Sequence, residues 1–174
     1  KNIALKISKD QEPEAYEYHE LPKPVWARKL RERTIDLTLL QDSRKPEIEQ
    51  FVENVTMGDP KRKQAMMSSI GYLLHGFKDP ARAKAVIFQD EEIPELRGMA
   101  NGGTGKSLIA NFLKGFKNIA LKGANALEKS KTEYLFDLVD VDTEIIVFDD
   151  ASAVFPFDVL FPYVTGPMDI NKKY

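Results

Sequence analysis

In "RKPEIEQFVENVTMG" the apolar residues Ile48, Phe51, Val52 and Val55 recur at i, i+3, i+4 and i+7, the spacing of one face of a helix. Pro46 suits the first turn of such a helix and Gly58 its end. The next stretch, "DPKRKQAMMSSIGYLLHGF", repeats the pattern with Met66, Ile70, Leu73, Leu74 and Phe77 as the stripe. Asp59 is placed to cap this second helix and Pro60 to occupy its first position. Beyond "FKDPARA" the period changes. "AKAVIFQD" and "EIIVFDD" are short, continuous, β-branched apolar runs that end in acids, and between them "KSLIANFLKGF" has helical spacing. Continuous apolar strands alternating with helices predict a parallel sheet covered on both faces. Residues 1–24 carry Pro13, Pro22 and Pro24, with "NIALKIS" as the one short strand-like run. The pattern therefore divides the chain into an arm or linker over 1–24, a helical subdomain over 25–80 and an α/β core over 81–174.

Composition narrows the chemistry. The 174 residues can bury a core without staples, and with no cysteine there are no disulfides, thiolate metal sites or cysteine nucleophiles. His19 and His75 are far apart in sequence, which disfavours a histidine metal site. The formal charge of −2 means that contact with nucleic acid must come from a local basic patch. No apolar run approaches the ~20 residues that span a bilayer, and the N-terminus lacks a signal-peptide pattern. The chain reads as soluble and cytoplasmic, without a membrane partner. It begins at Lys1 and stops at "DINKKY", which suggests a piece of a longer polypeptide.

The candidate chemistry lies in "GMANGGTGKSLIANFL". From Ala100 to Ser107 it follows the phosphate-loop pattern G-x-x-x-x-G-K-[ST], with alanine in the first glycine position. Glycines let consecutive backbone N–H groups turn toward an anion, and the following helix adds its positive end. The lysine reaches the β- and γ-phosphates and the serine hydroxyl ligates Mg²⁺. The nucleotide-binding set is Asn101, Gly102, Gly103, Thr104, Gly105, Lys106, Ser107 and Leu108. The apolar positions Leu108, Ile109, Phe112 and Leu113 begin where that helix should start. "AVIF" lies upstream, farther from the loop than a tight strand-loop-helix unit places it. "TEIIVFDD" supplies the acids: Asp149 to hold Mg²⁺ with Ser107, and Asp150 to orient or activate the attacking water. Lys106, Asp149 and Asp150 are the catalytic candidates, with ATP and Mg²⁺ as cofactors.

The order "GYLLHG", "NGGTGKS", "IIVFDD", "FPYVTGPMDINKKY" resembles the helicase part of phage and mobile-element primase-helicases, members of superfamily 3 among the AAA+ ATPases. The resemblance covers roughly residues 47–174, and its tail is the part that points to this family. It implies a P-loop NTPase core of AAA+ type with a parallel sheet, preceded by a small helical subdomain. Val164, Thr165 and Gly166 followed by Lys172 and Lys173 match the family's hydrophobic-T-G hairpin, which faces single-stranded DNA in a ring channel. Lys172 and Lys173 are thereby the DNA-binding candidates. The resemblance further implies a homohexameric ring when full length, and replication of a phage, plasmid or mobile element in a bacterial host. The family's polar sensor and arginine finger lie downstream of this hairpin, and every arginine here, from Arg28 to Arg97, precedes the phosphate loop. This stretch of chain is accordingly expected to bind nucleotide and hydrolyse it weakly.

Two other classes share some of these residues. A P-loop kinase or phosphotransferase would use lysines after the loop, and "KGFKNIALKGANALEKSK" supplies them, although such enzymes do not require the threonine-glycine hairpin. A non-catalytic replication scaffold or loader module would keep the fold alone. His75 reads as a packing or capping residue, and Lys61, Arg62 and Lys63 as a solvated face. Trp26, Met66 and Met67 read as core or interface filler, and "DEEIPE" as a surface turn without calcium-loop spacing.

Overall fold

The structure is a computed structural model and describes residues 3–30, 36, 38, 42–90, 103–124, 135–151 and 155–170. It divides into two compact units, 1–45 and 46–174. In the first, β1 (Ile3–Lys6) pairs antiparallel with β2 (Glu14–Glu17), with Ile3 opposite Glu17 and Lys6 opposite Glu14. The Lys6 ammonium and the Tyr16 hydroxyl both donate to the Glu14 carboxylate. These bonds, the tyrosine's first, hold the Glu14 pKa below its ordinary value. A hairpin thus occupies the stretch that the sequence pattern assigns to an arm, and the division falls after Lys45 instead of near residues 78–82. Trp26 is not core filler in this structure, being 72% exposed.

The second unit opens with α1 (Glu47–Val55) and α2 (Pro60–Leu74). Each forms where apolar spacing and end signals agree. Val52 is fully buried, worth ~1.5–3 kcal/mol for a side chain of this size. The chain leaves α1 through left-handed turns at Met57 and Gly58, and the Gly58 N–H donates to the Glu53 carbonyl. The Asp59 carboxylate then accepts from the Lys61 and Arg62 N–H groups, with Pro60 opening the helix. Lys63 does not belong to a solvated face: its ammonium bridges Glu49 and Glu53 of α1, each at 2.7 Å. Phe77, expected in the α2 stripe, lies past the helix end and is 76% exposed.

After α3 (Lys106–Lys114), β3 (Ile119–Gly123) and β4 (Ile145–Asp149) pair in parallel, Ile119 opposite Ile145 and Gly123 opposite Asp149. This two-stranded sheet is sandwiched between two apolar clusters. On one face Ile119 and Ile145 pack with Val52, Ile70, Ile109 and Leu113, which joins α1, α2 and α3 to the sheet. On the other, Ala120, Ile146 and Phe148 pack with Leu135, Phe136, Val139 and Phe155. Tyr163 of the short helix α4 (Phe161–Thr165) closes that side. The protein is therefore mixed α/β with a small parallel sheet covered on both faces. The expected strand "AVIF" is not formed, since residues 85–88 join no ladder among the described residues. Phe88 instead packs against the α1–α3 cluster. No helix among the described residues is long and apolar enough to cross a membrane.

Candidate functional site around the glycine-rich loop

Gly103 and Gly105 have φ of +91° and +89°, the left-handed region that side-chain-bearing residues avoid. Gly105 is also crowded: a Cβ there would lie 2.7 Å from the Phe51 ring of α1. The turn thus needs glycine for its torsion and for its packing. Gly105 caps α3, and its carbonyl accepts from the Leu108 N–H at 3.0 Å. The first N–H groups of α3 have no partner within the helix, which leaves a positive end beside the loop.

Two side chains at this helix start meet carboxylates. The Ser107 hydroxyl lies 3.3 and 3.5 Å from the Asp149 oxygens. Asp149 ends β4 where its backbone carbonyl accepts from the Ala124 N–H at 2.7 Å, so the sheet fixes its place. Asp150 follows in the left-handed region with φ of +55°, and its N–H donates to the Asp149 carboxylate at 3.2 Å. The fold thus brings together two residues 42 positions apart that the sequence pattern assigns to one metal.

Lys106 faces a different acid. Its ammonium donates to both oxygens of Asp90 at 2.6 Å and to the Thr104 hydroxyl at 2.8 Å. The lysine, and then the Thr104 hydroxyl, hold the Asp90 pKa below its ordinary value. Asp90 is absent from the sequence-based site, yet a signal was there: it ends the other acid-terminated apolar run, "AKAVIFQD".

A cavity of about 310 Å³ opens beside these groups. Phe51, Val55, Met66 and Phe88 form its apolar wall, while Asp90 and Lys106 stand at its polar end. A cavity of about 360 Å³ along α2, lined in part by Tyr72 and Lys84, has no carboxylate in its wall. His75 sits at the end of α2 with its ring edge against Tyr72.

Among the other expected residues, Leu108 is 52% exposed on α3. Asn101, Gly102, Lys172 and Lys173 lie outside the described residues. Val164 and Thr165 belong to α4 and Gly166 ends it. Lys78 donates to the Tyr163 and Gly166 carbonyls at 3.2 Å and caps that helix end. Among the described residues, no three His, Cys, Asp or Glu side chains converge as a metal site. Ser107 and Asp149 supply two hard oxygen donors, a set that suits Mg²⁺ when phosphate and water complete its shell. No family model, curated protein or solved structure matches the chain.

Proposed function

We propose that the chain is an ATP-binding, ATP-hydrolysing module of the superfamily 3 helicase type, built on a P-loop NTPase core, that acts on single-stranded DNA. The observation that carries the reading is the Ser107–Asp149 pair, which sets a hydroxyl at a helix start against a carboxylate at a strand end, 3.3 Å apart. The left-handed glycines at 103 and 105 support it, because an anion cradle needs backbone of that shape. So does the mixed cavity, whose apolar wall offers a surface for a flat base and whose polar part carries Lys106 for phosphates.

In this reading the α3 N-terminus and Lys106 bind the β- and γ-phosphates. Ser107 and Asp149 would hold Mg²⁺, which when bound would offset the negative charge of the phosphate oxygens. Asp150 orients the attacking water and accepts its proton. Lys172 and Lys173 contact the DNA backbone, and a ring of subunits couples hydrolysis to strand movement.

The test is ATP and single-stranded DNA binding by the wild type, Lys106→Ala and the double variant Lys172→Ala/Lys173→Ala. Lys106→Ala should weaken ATP at least about tenfold, the loss expected for a charge-assisted phosphate contact. The double variant should weaken DNA binding and flatten its salt dependence by about two phosphate contacts. Unchanged DNA binding by the double variant would remove the translocation reading, and unchanged ATP binding by Lys106→Ala would remove the phosphate-loop reading.

A further inference from the structure

We infer that Asp90 sets the affinity of the loop for polyphosphate by occupying the Lys106 ammonium until a ligand displaces it. This rests on the phosphate-loop reading above and adds to it a residue outside the motif. An ammonium has three N–H donors. In the structure two meet Asp90 and the third meets Thr104, so none is left over. A phosphate oxygen can bind this lysine only by taking a bond that Asp90 or Thr104 holds. Asp90 is the competitor that matters, because it is an anion and it takes two of the three.

The surroundings favour this closed arrangement. The Asp90 side chain is 17% exposed and that of Lys106 34%, so water competes only in part for either group. The Thr104 hydroxyl accepts from Lys106 and, after the lysine, helps to hold the Asp90 pKa below its ordinary value. All three residues line the cavity, with the ammonium bonded to both of the others. A triphosphate brings several negative charges to the same ammonium, together with the α3 N-terminus that Asp90 does not use, and so displaces a single carboxylate. A ligand that never reaches Lys106 leaves these bonds intact.

Asp90→Asn keeps the shape and removes the charge. The test measures binding of inorganic tripolyphosphate, ATP with Mg²⁺, and AMP to the wild type, Asp90→Asn, Lys106→Ala and the double variant, by calorimetry on the full chain. Asp90→Asn should bind tripolyphosphate and ATP at least about fivefold more tightly, the low end of coupling between linked interactions. AMP should be unaffected. Without ligand, the melting shifts of Asp90→Asn and Lys106→Ala should be non-additive, as for two ends of one bond.

Equal or weaker tripolyphosphate binding by Asp90→Asn, with measurable wild-type binding, would overturn the inference and leave the phosphate-loop reading standing. A gain that persists in the Lys106→Ala background would overturn it too, since the charge would then act as a general field. Absence of binding by both the wild type and Asp90→Asn would remove the phosphate-loop reading and this inference together. Where Asp90→Asn melts too low to assay, Asp90→Ser serves the same comparison.

Discussion

Gly105 shows how much one position can carry. The freedom behind its φ of +89° was legible in the sequence, because the pattern G-x-x-x-x-G-K-[ST] puts there a residue able to turn left-handed. Its closeness to Phe51 was not, because nothing in "EIEQFVENV" tells which part of the chain that ring will touch. Gly105→Ala meets both obstacles, a strained torsion and a Cβ 2.7 Å from an aromatic carbon. We expect it to destabilise the protein by about 2 kcal/mol, read as a lower urea midpoint. Adding Phe51→Ala should restore part of the loss by removing the clash but not the torsional strain. Full additivity of the two changes would mean that the ring and the loop do not press on each other. The same contrast holds for the acids. Asp149 drew a proposed role from a motif, whereas Asp90 drew none although it too ends an acid-terminated apolar run, since its partner is set by packing that brings residues 16 apart within 2.6 Å.

At the scale of elements, the helices were the most legible part, and α1 and α2 show why. Their apolar period, the Asp59 cap and Pro60 all point the same way, so local and tertiary demands agree. The strands divided otherwise. β4 is an unbroken apolar run, whereas β3 is hidden in a lysine-rich stretch with only Ile119, Ala120 and Leu121 as its apolar part. "AVIF" has stronger strand character than β3, yet joins no ladder among the described residues, because strand propensity expresses itself only where a neighbour offers an edge. What holds α1 to α2 was also invisible in the sequence, since the Lys63 bridge spans 14 and 10 residues to its two carboxylates. Glu49 and then Glu53 raise the Lys63 pKa above its ordinary 10.5. A raised lysine contributes stability that is complete below the unfolded value and is lost as pH rises through the folded one. Lys63→Met keeps the aliphatic stem and removes the charge. It should lower the melting temperature by roughly 2 °C at pH 7, with the gap closing as the pH passes 10.5. A gap that stays constant to pH 11 would assign the effect to packing.

For the molecule as a whole, the division after Lys45 follows from where apolar surface is buried. The hydrophobic pattern placed a boundary near residues 78–82, where helical spacing gives way to strand-like runs. Packing overrode it, because Val52 and Ile70 of the helical stretch share one cluster with Ile109 and Leu113 of α3. A change of local period marks a change of secondary structure, and a domain boundary requires in addition that the buried faces on its two sides be satisfied separately. Both apolar clusters draw every member from residues 51–168, as does the Ser107–Asp149 pair. A chain beginning at Pro46 therefore keeps both apolar clusters described in the second unit. We expect it to unfold in one cooperative transition, within about 3 °C of the full chain, and to bind ATP with unchanged affinity. Calorimetric unfolding and ATP titration of residues 46–174 against the full chain would check both. Loss of the cooperative transition would mean that the hairpin unit contributes to the core, and a folded chain with weakened ATP binding would make that unit part of the proposed nucleotide site.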